Sequence, residues 1–367
     1  MNICCFFNHN PFYRLPIFNA IAETFECDFY FNASLTHASV PFDVHLLKGY
    51  VKHIPGWRIL SRFVISYRFG SLLQSKYTHY LLSGDSTFFL NWFLLLWSKI
   101  MGKKVFFWTH GLKVLPKKRL TKTIYHLFYG YADGIFLYGE YGKNNMLSIG
   151  CKEDRLHVIH NSLDTNVQTT IYNNLTPSDI YKNHFGNNDP TIIYIGRIQK
   201  RKRVDLLVKA FELLRSSGVS LNMVIVGSSM DDDSIPSLIS SFGLSDRVWL
   251  FGPCYDERMN AELLYNASVC VSPGNVGLTC IHSLSYGTPV VSHNTFNKQM
   301  PEFEAIKEGI TGSFFLEDNV ESLSKEILRW ISLGEAERAQ LRMVARETIE
   351  REWSIPFQIS VLKRALK

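Results

Sequence analysis

Two α/β domains in tandem, each built on a doubly wound parallel sheet, are the architecture that this sequence predicts. Three observations predict it. The chain has 367 residues, enough for two cores of ordinary size. Short β-type runs alternate with helical patterns through both halves, as parallel βαβ units require. With 46 % apolar and 20 % charged residues, the composition is that of a globular protein and excludes a disordered or fibrous chain.

In the first half, the apolar run Ile3–Phe7 ends in Asn8, His9, Asn10 and Pro11, a loop signal behind a buried strand. A helix is expected over Ile17–Phe25 and a second strand over Asp28–Phe31. Thr78–Ser83 reads as a strand, Thr87–Met101 as a helix, and Lys104–Trp108 as a strand ending at Thr109, His110 and Gly111. Asp133–Tyr138 and His157–His160 read as two more strands. The segment Phe88–Trp97 is strongly apolar, but a span needs about 20 apolar residues. Asp85 and Lys99 bracket it, so a buried or interfacial helix is expected there.

From 164 to 190 the pattern lapses into Asn, Thr, Asp and Ser and reads as a linker. A second alternation follows, with strands expected at Thr191–Ile195, Asn222–Val226, Val248–Phe251, Val269–Ser272 and Pro289–Ser292. Helices are expected between them at Asp205–Ser216, Ser234–Phe242, Glu257–Asn266 and Leu278–Tyr286. The expected organisation is a first domain over 1–163, a linker over 164–190, a second domain over 191–350 and a terminal helix over 351–367.

Charge and cysteine usage exclude several function classes. The seven cysteines form no C-x-x-C pair, which argues against a zinc knuckle or a disulfide framework. The segment from Met1 to His9 has no basic flank, long apolar core or cleavage site, so it does not read as a signal peptide. The reducing cytoplasm is the expected compartment. The net charge of +6 is uneven: residues 1–163 hold 18 Lys and Arg against 9 Asp and Glu, leaving 21 against 24 for the remainder. A basic first half suggests an anionic partner. No zinc finger, RRM signature or helix-turn-helix accompanies it, so nucleic acid is not the expected partner.

Two strand-to-helix loops carry the candidate chemistry. In the first, a strand runs into Gly196 and Arg197, then a basic loop containing Lys202, then a helix. Such a loop gathers backbone N–H groups and a helix dipole at one point, which suits a phosphate. Arg197 adds a forked contact and Lys202 a compact charge; a solvated basic turn is the plainer alternative. In the second, a strand ends at Ser272, and a loop with Gly274, Asn275 and Gly277 leads into a helix at Leu278 and Thr279. The glycines permit close backbone approach, and the first helical N–H groups are free for an anion. Asp231, Asp232 and Asp233 form an acidic run with no histidine beside it, read as a solvated loop rather than a metal site.

These motifs, in this order, make the chain resemble the retaining GT-B glycosyltransferases of family 4, the glycosyltransferase group 1 family. Gly196, Arg197 and Lys202 match the family's glycine-arginine strand end and following lysine, with Asp205 and Ala210 at family positions. Val226 and Gly227, the run Asp246–Gly252, Ser272 with Pro273, Gly277 with Leu278, and Gly287–Val290 match successive family segments. Thr109 with His110 resembles the catalytic-region histidine, and Asn161–Asp164 the asparagine-glycine-x-aspartate motif. The matches run from about residue 105 to 312.

The resemblance implies two Rossmann-like domains facing a central cleft, with the nucleotide-sugar donor mainly on the second and the acceptor mainly on the first. It also implies a terminal helix crossing back to the first domain and no required metal or other cofactor. Two departures stand out. The family's pair of glutamates is replaced by Gly274 and His282, and Arg203 stands where the family often has glycine. His282 either packs on its helix or accepts a hydrogen bond from a donor hydroxyl as a neutral ring, near a helix N-terminus. Glu304 matches the glutamate preceding the family's glycine-x-x-glycine, and Glu302 either supplies the missing carboxylate or serves as a surface or capping acid. His9, Asn10 and Arg14 follow the first strand, where the family's first-domain loop meets the cleft, and form the expected acceptor side.

The expected function is a retaining glycosyltransferase moving a sugar from a nucleotide-diphosphate donor to a saccharide or polyprenyl-diphosphate-linked acceptor, in bacterial surface polysaccharide synthesis. His110, Arg197 and Lys202 are its expected catalytic residues. The alternatives are a nucleotide-sugar-binding protein without transfer, or a GT-B epimerase or phosphorylase. The stretches from Trp57 to Phe69 and from Lys113 to Tyr125 mix cations with apolar residues at roughly helical spacing, so peripheral attachment to the inner face of the plasma membrane is also expected.

Overall fold

A computed structural model describes residues 1–33, 40–60 and 62–367. The chain divides into two compact units, Met1–Asp164 with Ile355–Lys367, and Thr165–Ser354.

The first unit opens with strand β1 (Asn2–Phe7), helix α1 (Leu15–Thr24), β2 (Glu26–Asn32) and β3 (Tyr50–Ile54). An antiparallel hairpin, β4 (Gly56–Ile59) and β5 (Phe63–Ser66), precedes β6 (His79–Ser83), α2 (Phe89–Ile100), β7 (Lys104–Thr109) and α3 (Arg119–Gly130). Then come β8 (Gly134–Leu137), α4 (Glu140–Ser148) and β9 (Leu156–Val158). Seven of these strands form one parallel sheet in the order β3-β2-β1-β6-β7-β8-β9.

The period-2 alternation of strands decides which side chains meet which helices. Cys4, Phe6, Tyr80, Leu82, Val105 and Phe107 point to one face and pack with Leu90, Leu94 and Leu95 of α2 and Phe128 of α3. Ile3, Cys5, Phe7, Leu81, Phe106 and Trp108 point to the other and pack with Ile17, Phe18 and Ile21 of α1. The segment from Trp57 to Phe69, expected at helical spacing, contains the hairpin instead, with Ser61 outside the described residues. Its aromatic and β-branched residues suit a pleated ribbon better than a helix.

The second unit begins with α5 (Thr165–Tyr172) and α6 (Ile180–Phe185), so the stretch expected as a linker is part of a folded body. Polar composition concealed this, because the two helices dock through single side chains. Tyr181 donates its hydroxyl to the carbonyl of Leu263 at 2.6 Å, and Gln168 accepts from Ser285 at 3.0 Å. The elements β10 (Thr191–Ile195), α7 (Val204–Ser216), β11 (Asn222–Val226), α8 (Ile235–Ser241), β12 (Val248–Gly252) and α9 (Glu257–Asn266) follow. After them come β13 (Val269–Ser272), α10 (Leu278–Ser285), β14 (Val290–His293), β15 (Gly312–Phe315), α11 (Val320–Ile331) and α12 (Glu335–Glu352). The parallel sheet has the order β12-β11-β10-β13-β14-β15.

The last helix, α13 (Ile355–Ala365), belongs to the first unit, where Ile355, Val361, Leu362 and Leu366 complete the α1 side of the core. Gln358 fixes its register there, accepting from the Ser162 hydroxyl at 2.7 Å and donating to the His160 carbonyl at 2.9 Å. Among the described residues no helix is long and apolar enough to cross a membrane.

Candidate functional site

In each sheet the order of connection reverses once, between the first strand and the neighbour that follows the outer strands. There, adjacent carboxyl-end loops leave in opposite directions and open a crevice. The reversal lies between β1 and β6 in the first unit and between β10 and β13 in the second. Most of the residues singled out from the sequence lie at these two points.

In the second unit, β10 ends at Gly196, whose N–H donates to the carbonyl of Val226 at 2.9 Å. The Tyr194 hydroxyl donates to the carbonyl of Arg197 at 2.7 Å and holds the exposed Arg197 at the strand end. Lys200–Lys202 form a 3-10 turn leading to α7. Two hydrogen bonds tie this turn to the loop after β13: Gly274 N–H donates to the carbonyl of Lys202 at 2.9 Å, and Lys202 Nζ donates to the carbonyl of Asn275 at 2.5 Å. Only glycine fits at 274, because a Cβ would collide with the carbonyl of Arg201 and lie 2.6 Å from Cα of Lys202.

Gly277 caps α10, and the Thr279 hydroxyl donates to the carbonyl of Ile195 at 3.0 Å, so the N-terminal turn from Leu278 is anchored to the end of β10. Gln299 braces the same loop by accepting from Val276 N–H at 2.7 Å. The two loops thus bring Lys202 and the amino end of a helix together at the end of β10, where the charge of Arg197 also acts, all favourable to an anion. Burial pushes the Lys202 ammonium down to about 8, helped by repulsion from Arg201 and Arg197 and opposed by Glu302. Glu302 is buried on the Pro301–Ala305 turn, and its charge acts on Lys202; Glu304, on the same turn, is half-buried.

His282 departs from its expected setting. It lies in the last turn of α10, not beside the N-terminus, so the positive helix end does not act on it. Its Nε2 is 3.0 Å from Oε1 of Glu257. A carboxylate only accepts, so Nε2–H donates. Tyr286 and Gln168 donate to the same oxygen at 2.7 and 3.2 Å. Desolvation raises the carboxyl of Glu257, but these donors, His282 first, outweigh it and hold it below the usual range. Glu257 carried no sequence signal, since its meeting with His282 is a tertiary contact between two helices.

Arg203 occupies the left-handed region at φ +52°, the conformation that glycine adopts without strain. Its ion pairs with Asp205, at 3.0 Å, and Asp318 hold it there. In the acidic run, Asp231 accepts from Lys200 N–H at 2.8 Å, Asp232 from the Ser234 hydroxyl at 2.6 Å, and Asp233 from the Ser229 hydroxyl. No group of three or more potential ligands is placed to hold a metal among the described residues.

In the first unit, a pocket of about 340 Å³ opens where β1 and β6 end, lined by Asn8, His9, Arg14, Asp85, His110 and Tyr129 among others. His110 sits 4.6 Å from the ring of Tyr138, centroid to centroid. Arg14 lies over Trp108 and Tyr138 at 5.1 and 5.2 Å. Desolvation lowers the pKa of His110, followed by the charges of Lys113, Arg14 and His9. The ring is open to the pocket, so water offsets part of that shift, and the imidazole is neutral near pH 7.

Asn10 is not among the residues lining this pocket. It is buried, and its amide donates to the carbonyl of Phe42 at 2.9 Å. Asn8, one turn of the pleat earlier, lines the pocket in its stead. Asp85, also missed as a site residue, accepts from the N–H and hydroxyl of Thr87 at 2.9 and 2.7 Å. Its place directly behind a strand end was the available signal.

Residues 176–348, which include the loops after β10 and β13 and the Pro301–Ala305 turn, match the family model for glycosyl transferases group 1. A glycogen synthase from Thermodesulfovibrio yellowstonii is 26 % identical over 169 residues, covering 45 % of this chain and 32 % of that protein. The chain thus spans about a third of that relative's length. Among solved structures, Anabaena HepE in complex with UDP superposes with a TM-score of 0.76 at 15 % identity, covering 99 % of both chains. The apo lipopolysaccharide outer core galactosyltransferase WaaB gives 0.72 at 17 % identity, covering 100 % of this chain and 99 % of that one. Residues 176–348 thus resemble the glycosyl transferases group 1 family, and the chain has the fold of the GT-B glycosyltransferases.

Proposed function

We propose that this protein is a retaining glycosyltransferase of family 4 that transfers a sugar from a nucleoside-diphosphate donor to a saccharide or lipid-linked saccharide acceptor in bacterial surface polysaccharide synthesis. The observation that carries the reading is the crevice between β10 and β13, where Arg197, Lys202 and the amino end of α10 converge. As the glycosidic bond breaks, charge grows on the leaving diphosphate, and donors already in place stabilise it without reorganising. The reading assigns that charge to Arg197, Lys202 and the amides from Gly277 onward, with no metal ion. Gly274 leaves no carboxylate nucleophile in the loop, which favours attack from the face the nucleotide leaves, through an ion-pair-like transition state.

His110 contacts the transferred sugar in this reading, and the pocket with His9 and Arg14 receives the acceptor. The match to the group 1 family supports the reaction class, and the UDP bound to HepE supports the donor class. Arg197→Ala and Lys202→Ala should each lower kcat about a hundredfold or more while leaving thermal unfolding nearly unchanged. Near-native turnover in both variants would remove the assignment of the site.

A second reading, nucleotide-sugar binding without transfer, is favoured by the replacement of the family's glutamate pair by Gly274 and a His282 bonded to Glu257. A GT-B epimerase or phosphorylase is the other enzymatic alternative. A product scan with several nucleotide sugars and lipid-linked acceptors separates them: donor binding with no turnover supports the binding protein, and transfer to an acceptor excludes it.

A further inference from the structure

Three neighbouring elements of the first unit turn apolar side chains toward solvent. On α2, Phe89, Phe93, Leu96 and Ile100 are exposed, Ile100 at 82 %, while Leu90, Leu94, Leu95 and Ser98 face the core. The exposed set has the spacing i, i+4, i+7, i+11, which is one stripe of a helix. On α3 and its C-cap, Leu120, Ile124, Leu127 and Tyr131 repeat that spacing, with Leu120 exposed at 72 %. The hairpin adds Trp57, exposed at 64 %, and Leu60, at 83 %.

The three elements are contiguous. Phe63 of the hairpin stacks on Phe89 of α2 at 5.8 Å, and Trp92 of α2 packs on Phe128 of α3 at 4.7 Å. Core packing accounts for the inward faces of both helices and leaves the outward stripes unexplained. Contiguous apolar surface of this kind marks an interaction site on a folded unit.

Charge selects the occupant. From Val44 to Ala132 the sequence holds fourteen Lys and Arg and a single acid, Asp85. Asp85 faces the pocket and bonds to Thr87. Lys117, Lys118, Arg119 and Lys122, before and on the first turn of α3, are exposed and in no ion pair among the described residues, as are Arg58 and Arg62 of the hairpin. A second copy brought up by two-fold symmetry would set these cations against themselves. An anionic bilayer complements both features, since cations meet headgroups while leucine, isoleucine and aromatic side chains enter the boundary beneath them.

We infer that the face formed by β4–β5, α2 and α3 docks on an anionic lipid bilayer. The inference stands apart from the transferase reading, since none of its residues lies in the second unit's crevice. The test is flotation of the full chain with vesicles of phosphatidylglycerol and phosphatidylcholine, against phosphatidylcholine alone, at low and high salt. The native protein should float with the anionic vesicles at low salt and be released by salt, because exposed charges are screened.

Replacing Lys117, Lys118, Arg119 and Lys122 together by Gln should lower partitioning roughly a hundredfold or more. The triple variant Leu96→Ser, Ile100→Ser and Leu120→Ser, altered only at exposed positions, should also lower it. Thermal unfolding and UDP titration of both variants report folding and the second unit separately. The inference is overturned if the native chain floats with neither vesicle, if native and variant chains float equally, or if light scattering shows a dimer that the serine variant dissociates.

Discussion

Raising the pH from 7 to 9 should weaken the binding of a diphosphate to the second unit about tenfold, through Lys202 alone. Its ammonium is half-buried beside Arg197 and Arg201 and is pushed down to about 8 in the free protein. A diphosphate seated in the crevice supplies opposing charge and returns the group to its ordinary range near 10.4. Binding therefore takes up a proton wherever free Lys202 is neutral and bound Lys202 is charged, which is the interval above about pH 8. Affinity falls tenfold per pH unit within that interval, so the loss between pH 7 and 9 is close to one pKa unit, about 1.4 kcal/mol.

The phosphate groups themselves, with a second pKa near 6, change little over this range. Isothermal titration with UDP reads both the Kd and the proton uptake when repeated in buffers of different ionisation enthalpy. Lys202→Arg carries a charge that does not titrate here and should give a flat profile. A flat profile in the native protein, or an equal slope in Lys202→Arg, would refute the reasoning.

Three further outcomes follow from the structure. Gly274→Ala forces backbone against backbone at Arg201 and Lys202 and should cost about 3 kcal/mol in a urea titration, together with loss of UDP binding. Arg203→Gly should be about 1 kcal/mol more stable than Arg203→Ala, since both lose the ion pairs with Asp205 and Asp318 but only glycine relieves the left-handed backbone; equal stabilities would remove the strain argument. Gln358→Ala removes two buried hydrogen bonds and should cost about 2–3 kcal/mol, read as a lower midpoint of denaturation for the first unit.

The meeting of the loops after β10 and β13 was legible because its parts are local. Gly196, Arg197, Lys202, Gly274 and Gly277 declare themselves by glycine and cation spacing at strand ends, and a parallel sheet of this order places both loops together. Asn10 was misplaced because loop composition does not say which way a side chain turns once the chain leaves its strand; its partner, Phe42, is 32 residues away. Glu257 was invisible for the same reason, since only the packing of α9 on the sheet brings it to His282. The hairpin was read at helical spacing because cations and apolar residues in a short stretch fit periods of two and of three to four about equally well. Helices α5 and α6 were hidden by a polar composition that single buried residues, Gln168 and Tyr181, suffice to anchor.

The return of α13 to the first unit bears on how the protein is made. The chain leaves that unit after Asp164 and rejoins it at Ile355, so 190 residues of the second unit are synthesised in between. At roughly 5–20 residues per second, the first unit waits about 10–40 s for the helix that closes the α1 side of its core. During that interval the groove that will receive Val361 and Leu362 is open, and its apolar lining is available to a chaperone or to another nascent chain. The second unit, continuous from Thr165 to Ser354, has no such dependence and can fold as soon as it emerges. A released chain cut before Ile355 would therefore hold a complete second unit and an unfinished first one, and the segment from Ile355 decides when the first unit is complete.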